Sequence, residues 1–285
     1  MTNVLTVDVE DWFQVENYAG AIPRDSWPQC QLRVSGNVDF LLRLFCKHKT
    51  TATFFVLGWM AKRVPTLVKT IADAGHEIAS HGWSHTPIWR LTPEQFRTEV
   101  SQSRLLLQEL SGQEIRGYRA PTFSITRGTL WALRILSESG YVYDSSIFPV
   151  HHDMYGIPDA PLGIHYRQEE LWELPLSIYR IGSMNLPVAG GGYFRLYPQW
   201  VTHKAIRQIN ASGRPAVVYV HPWEFDPDQP QVQGVSFSKA LRHRVGLARN
   251  RQKLDRLIQS FPFAPAWQVL QSFVAKRNTT AQGDT

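Results

Sequence analysis

The 285 residues carry a formal net charge of +6, with 43% hydrophobic and 19% charged residues, a globular composition in which no apolar run approaches the roughly 18 residues a membrane span needs. No basic start followed by an apolar stretch marks a signal peptide, so a cytoplasmic location is expected. Two cysteines, Cys30 and Cys46, lack C-x-x-C spacing and are too few for a disulfide scaffold, which points to reduced thiols.

Along the chain, short β-rich runs alternate with helical patterns. Val4 to Val7 reads as a strand, Val38 to Cys46 as a helix and Thr51 to Val56 as a strand. A helix over Val64 to Ala74 ends at Gly75, whose missing Cβ suits a left-handed cap. Glu77 to Ser80 is the next strand. Thr92 is the N-cap and Pro93 the first-turn residue of a helix reaching about Leu110. Arg116 to Arg119 is extended, Thr126 to Ser139 helical and Gly140 to Tyr143 extended. Residues 148–197 break this rhythm with many prolines, aromatics and Gly190-Gly191-Gly192, and an excursion of that length usually covers or lines a site. Pro198 to Ala211 is helical, and Ala216 to Val220 is the last clear strand. The basic residues of an amphipathic pattern over Arg242 to Ile258 read as a solvated helix face, not a nucleic-acid surface, and the polar tail 276–285 reads as disordered. Alternating βα units imply a parallel sheet and suit a barrel of about seven or eight strands.

Three polar sets stand just past predicted strands: Asp8-Val9-Glu10-Asp11, His81 to His85, and His221-Pro222-Trp223-Glu224. Strand ends gathered at one face of a barrel are where α/β enzymes place their chemistry. His81 and His85 stand four apart and Gly82 permits a turn, so both imidazoles can face one barrel mouth. A zinc-like ion takes two or three such nitrogens plus a carboxylate, with one position open for water. If the first strand stays extended to Glu10, alternation puts Asp8 and Glu10 on one side, one to bind metal and one to act as base. Together the residues fit metal-assisted hydrolysis.

The motifs extend further. Thr6-Val7-Asp8 with Glu10-Asp11, the His81/His85 pair, Arg119-Ala120-Pro121 and Val220-His221 follow in order. In this the chain resembles the NodB-homology polysaccharide deacetylases, carbohydrate esterase family four, over Leu5 to about Pro227. Val7 to Trp12, Tyr143 to Ser146, Gly190 to Arg195 and His221 to Glu224 resemble the subfamily of exopolysaccharide loci in exosortase-containing bacteria. Two departures stand out. Val9 interrupts the usual Asp-Asp pair, which makes Glu10, or else Asp11, the metal carboxylate. The usual Asp-x-x-Asp-Trp is reduced to Asp144-Ser145-Ser146-Ile147-Phe148, which leaves Asp144 or Glu173 to hold the acid histidine.

The resemblance implies an α/β fold, a deformed (β/α) barrel of about seven parallel strands, as a single domain over residues 1–275. It also implies a divalent ion on Glu10, His81 and His85, zinc first, with cobalt, nickel or manganese as alternatives. The reaction implied is removal of N-acetyl groups from amino sugars of an exopolysaccharide or its precursor. Asp8 would be the base toward the attacking water, His221 the acid toward the leaving nitrogen, and Arg119 the group that holds Asp8. A backbone N–H near Ala120 to Thr122 would stabilise the oxyanion. Pro121, Tyr193 and Trp223 would line the substrate groove, and Trp12, Trp83 and Trp89 are further candidates for stacking on sugar rings. The expected partner is an N-acetylated glycan, without nucleic acid or a membrane span. Two alternatives are the same fold acting on another C–N bond, such as a cyclic ureide, and an inactive carbohydrate-binding module. A binder has no need of base and acid together.

Overall fold

Every residue of β1 (Asn3–Val9) is buried, and alternation splits the strand into two faces. Leu5, Val7 and Val9 join an outer core with Phe54 and Val56 of β2 (Thr53–Val56) and Ile78 of β3 (Glu77–Ser80). Val4 joins an inner core with Phe55 and Ala79. Thr6 and Asp8 share the parity of Val4, so the strand points an acid into the barrel near its C-terminal end.

The computed structural model describes residues 1–182, 184–188 and 190–283. Its further strands are β4 (Gly117–Tyr118), β5 (Tyr143–Asp144), β6 (His165–Tyr166), β7 (Trp172–Glu173), the hairpin β8 (Ile178–Ile181) and β9 (Met184–Pro187), β10 (Val217–Val220) and β11 (Phe263–Ala264). The main sheet runs β10, β1, β2, β3, β4, β5, β7, seven strands in parallel, with β6 antiparallel at the edge. β11 pairs with the first two residues of β1, ahead of where β2 begins. The curled sheet is a half-barrel. Its open side lies between β7 and β10, where no strand stands among the described residues. Leu176 N–H donates to Ile147 O at 3.0 Å, and Val217 N–H donates to Ser177 Oγ at 2.7 Å.

The helices are α1 (Val34–Lys47), α2 (Gly58–Arg63), α3 (Pro65–Asp73), α4 (Pro93–Ser111), α5 (Trp131–Glu138), α6 (Gly191–Leu196), α7 (Gln199–Ala211), α8 (Phe237–Arg244), α9 (Leu247–Ser260) and α10 (Ala266–Gly283). α4 opens on the expected cap: Gln95 N–H donates to Thr92 Oγ1 (3.3 Å) and Thr92 N–H to Gln95 Oε1 (2.9 Å). α10 adds Ala266, Val269 and Leu270 to the inner core. It also runs through residues 276–283, where disorder was expected. No Pro or Gly interrupts it before Gly283, so the helix propagates beyond its anchored start; residues 284–285 lie outside the described residues.

The pattern over Arg242 to Ile258 is two helices, not one. Gly246 separates them in the left-handed region (φ 78), where a Cβ would lie 2.7 Å from Arg195 O. The basic residues here are not simply solvated. Arg251 donates to Phe225 O at 2.9 Å, and Lys253 to Phe194 O at 2.6 Å, tying α9 to the loops around α6 and β10. Among the described residues, no helix is long and apolar enough to cross a membrane.

Candidate active site

The C-terminal ends of β1, β3, β4 and β10 converge on one cleft lined by Asp8, Glu10, His81, His85, Thr122 and His221. β1 ends at Val9, earlier than unbroken alternation to Glu10 would require. A three-residue turn, closed by Glu10 N–H to Asp8 O at 2.9 Å, returns Glu10 to the same cleft as Asp8. Past β3, Gly82 (φ 77) and His85 (φ 54) coil the loop, and Arg24 holds it by donating to Ser84 O (2.9 Å) and His85 O (2.8 Å). The result places Nε2 of His81 and of His85 at 3.1 and 2.9 Å from the same Oε1 of Glu10.

All three ligand atoms lie within 4.8 Å of one another. His81 Nδ1 lies 2.8 Å from Arg119 O, an obligate acceptor, so the ring proton sits there and the Nε2 lone pair faces the centre. Two imidazoles and a carboxylate with an open side fit a zinc-like catalytic ion. Burial pushes the Glu10 carboxyl up, but the imidazoles of His85, His221 and His81 hold it well below the usual carboxylate range.

Asp11 is spent elsewhere. Its Oδ1 accepts Trp12 N–H (2.8 Å), and its Oδ2 accepts the N–H groups of Arg33 (2.7 Å) and Val34 (2.9 Å) at the start of α1.

Arg119 is fully buried and donates from Nη1 to Asp8 Oδ1 (2.7 Å) and Thr6 Oγ1 (2.6 Å), and from Nε and Nη2 to Ser145 O and Oγ (2.9 and 2.8 Å). Its own N–H goes to Ser80 O, while Ala120, Phe123 and Ser124 donate to Ser146 Oγ, Ala120 O and Pro121 O. Pro121 has no N–H. That leaves Thr122, held at φ 56, with the backbone donor of this stretch that has no protein acceptor among the described residues, and it lines the cleft.

His221 Nε2 lies 4.0 Å from Asp8 Oδ2 and 3.8 Å from Glu10 Oε1. Burial pushes its pKa down, but the carboxylates of Glu10, Glu224 and Asp8 more than offset this and it is pushed up to about 9.

Neither expected partner of His221 is beside it. Asp144 accepts Ser146 Oγ–H (2.5 Å) and Ser146 N–H (3.0 Å), and Glu173 accepts Ile147 N–H (3.1 Å). Burial and the neighbouring Asp144 push the Glu173 carboxyl well up, so this buried pair favours holding a proton. Through Ser146 it buttresses Ala120. The carboxylate at His221 is Glu224, whose Oε2 lies 3.4 Å from Nδ1, with Arg195 Nε donating to its Oε1 at 2.9 Å. Glu224 and Arg195 were visible as parts of the His221 to Glu224 and Gly190 to Arg195 motifs, but nothing in their spacing tied them together.

The expected sugar-binding residues divide. Tyr193 lines a 540 Å³ chamber that continues the cleft past Tyr155, Tyr219 and Trp223. Trp223 is only 5% exposed and its ring already stacks on His221 (5.4 Å) and His243 (4.3 Å), so it packs the histidine and has no open face for a sugar. Pro121 is buried beneath Gly82 and lies outside the cleft lining. Trp12 packs edge-on against Phe13 in a separate aromatic core, and Trp83 lies against Gly58.

The family profile of the polysaccharide deacetylases matches residues 25–142, and that of a domain of unknown function, DUF3473, matches residues 145–271. A peptidoglycan deacetylase of Helicobacter pylori is 34% identical over 113 residues, 40% of this chain and 37% of that protein. A peptidoglycan-N-acetylglucosamine deacetylase of Bacillus cereus is 33% identical over 87 residues, 30% of this chain and 32% of that protein. The chain thus spans about a third of each of these relatives. Among solved structures, a Mycobacterium smegmatis protein assigned by name to the polysaccharide deacetylases superposes with a TM-score of 0.61 at 20% identity, covering 97% of this chain and 92% of that one. The allantoinase PuuE gives 0.59 at 15% identity, covering 95% of this chain and 89% of that one. Both share the fold. His81, His85 and Arg119 all fall inside the segment, residues 25–142, that is similar to the polysaccharide deacetylase family.

Proposed function

We propose that this protein is a metal-dependent hydrolase that removes N-acetyl groups from amino sugars of an exopolysaccharide or its precursor. The observation that carries the reading is the convergence of Glu10, His81 and His85 beside an arginine-held carboxylate and a histidine on one cleft. When bound to Glu10, His81 and His85, a divalent ion, zinc in the first instance, supplies acidity to a water and polarisation to the acetyl carbonyl. Asp8, held by Arg119, takes the proton of the water whose oxygen bonds to the carbonyl carbon. Thr122 N–H is placed to stabilise the oxyanion. His221 gives its proton to the amide nitrogen as the C–N bond breaks, so amide and water leave as amine and acetate.

A polymeric substrate is supported by the chamber beyond Tyr155 and Tyr193, which gives the cleft room past the reacting group. Relatives named for peptidoglycan and chitooligosaccharide support an N-acetylated glycan. The exopolysaccharide class rests on the Gly190 to Arg195 and His221 to Glu224 motifs, both of which border the cleft.

The test is metal analysis of the purified protein, followed by acetate release from a panel of N-acetylated glycans with allantoin as the comparison substrate. Acetate from the glycans and no opening of allantoin is expected. Ring opening without acetate release would replace the reading with cyclic-ureide hydrolysis, and stoichiometric metal with neither activity would make the chain a binding module.

A further inference from the structure

We propose that Glu224, clamped by Arg195, is the positioning residue that aims His221 at the leaving nitrogen, an inference that rests on the deacetylase reading above. Glu224 is fully buried and three residues beyond His221, the third residue of the turn that follows β10. Its Oε2 accepts the His221 backbone N–H at 2.9 Å and lies 3.4 Å from Nδ1 of the same residue. One oxygen therefore fixes the main chain by a hydrogen bond and is the charged group that faces the ring's Nδ1, which makes no hydrogen bond of its own among the described residues. With Nδ1 turned to Glu224, Nε2 must point into the cleft, where it meets Asp8 and Glu10. The ring plane is set separately, by Trp223 stacked on it at an interplanar angle of 24°.

A buried carboxylate holds its charge only with a partner, and the partner comes from the glycine-rich excursion. Arg195 Nε donates to Glu224 Oε1, while its Nη1 donates to His243 O (2.6 Å) and Val245 O (2.7 Å), so the guanidinium is pinned from both sides. The glycines explain how it arrives there. Gly190 bridges to Tyr219, and a Cβ on it would lie 1.8 Å from Tyr219 O. Only glycine allows α6 to start this close to β10 and carry Arg195 beneath Glu224. The site thus holds two buried carboxylate–arginine pairs. Asp8–Arg119 serves the base, and Glu224–Arg195 serves the acid in place of the missing second aspartate of the Asp144 motif. The first pair's arginine lies in the deacetylase-matched segment, and the second pair lies wholly in the DUF3473-matched segment, which gives that segment a role in the chemistry.

The test uses the zinc-loaded full chain with N-acetylchitopentaose and para-nitrophenyl acetate. An amine must be protonated to leave and a nitrophenolate need not be, so a misaimed acid is read as a loss on the amide alone. Glu224→Gln should lower kcat on the amide by about 10²-fold with KM and the ester rate within about threefold, at unchanged zinc content. Glu224→Asp, which keeps the charge, should recover about tenfold of that loss. Equal loss on both substrates, or no loss on the amide, would overturn the proposal.

A second readout needs no glycan. The Nδ1 proton of His221, followed by nitrogen NMR of histidine-labelled protein, should be present at low field in the parent and Glu224→Asp proteins and lost in Glu224→Gln. Its persistence in Glu224→Gln would overturn the positioning role, whereas its loss in a protein whose parent releases no acetate would overturn only the deacetylase reading. Should Glu224→Gln fail to fold, Arg195→Lys carries the same comparison, with an amide-selective loss of about tenfold expected because lysine cannot span Glu224 and both carbonyls.

Discussion

Exchanging the charges of the adjacent acids Glu10 and Asp11 should separate metal binding from stability. Glu10→Gln is expected to lose the ion, because one of three convergent ligands is gone and the two imidazoles alone make a weak site. Asp11→Asn should keep the ion and lose stability instead. Its two oxygens accept three backbone N–H groups, at Trp12, Arg33 and Val34. An amide has one acceptor oxygen, so at least one of these donors faces an NH₂ group. Losing one charge-assisted bond and reducing the others to neutral strength amounts to about 3 kcal/mol. Part of this is offset, because burial already pushes the Asp11 carboxyl up, against the stabilising backbone bonds. For a chain of this length the loss corresponds to roughly 5 to 10 °C in Tm. The assays are metal stoichiometry by elemental analysis and urea denaturation of both variants. Metal loss in Asp11→Asn with full retention in Glu10→Gln would refute the ligand choice and the turn geometry behind it.

Asp8→Asn and His221→Ala should each retain the ion and a folded melting transition while losing at least about 10²-fold in kcat, since the proposed reaction has both move protons without completing the ligand set; metal loss in His221→Ala would make that histidine a ligand. Gly190→Ala should destabilise by about 2 kcal/mol or more, because its Cβ would collide with Tyr219 O at 1.8 Å. It should also lower acetate release through displaced Arg195, and unchanged melting and activity would contradict the close approach. His76 gives an acid-stability signature independent of the site: Ala52 N–H donates to its Nδ1 at 3.1 Å, and burial holds its pKa down at about 4 against 6.5 unfolded. The folded state then binds fewer protons across that window. Stability present above pH 6.5 is lost as pH falls toward 4, by up to about 3 kcal/mol. His76→Asn, which keeps an acceptor, should flatten that limb in urea titrations, and an unchanged slope would show that other groups set it.

What was legible in the sequence follows from how locally each feature is determined. Strand parity and helix caps are short-range, so β1, β3, α3 and α4 lie within a residue or two of where periodicity, Gly75 and Thr92 place them. Ordered motifs at strand ends brought Asp8, Glu10, His81, His85, Arg119 and His221 to one cleft. Side-chain pairing across the fold was not legible. Asp144 and Glu173 were natural partners for His221 by motif position, but Asp144 is engaged by Ser146 and Glu173 by Ile147 N–H. Trp223 was a reasonable sugar platform by adjacency, yet its faces are occupied by histidines, one of them 20 residues away at His243. The α8–α9 break needed Gly246 to be read as a close approach to Arg195, and periodicity alone bridges it.

The sheet order also explains why a site assembled from distant segments is coherent. β10 pairs with β1 in parallel register, Val7 opposite Val220, so the residues just beyond each, Asp8 and His221, are brought to the same edge although more than two hundred positions separate them. The deacetylase profile ends before β10 begins, and β1 precedes it, so neither the proposed base, Asp8, nor the proposed acid, His221, lies within the matched segment. What that segment holds is the histidine pair and Arg119, which donates to Asp8. His221, Glu224 and Arg195 all lie in the DUF3473 match. In the proposed reaction, proton transfer in both directions therefore depends on the β1–β10 pairing, and sliding one of these strands by one residue would turn its own group, Asp8 or His221, away from the cleft. Asp8 and Glu10 lie ahead of both profiles, so the barrel brings to one cleft residues from three stretches of the chain: the end of β1, the deacetylase match and the DUF3473 match.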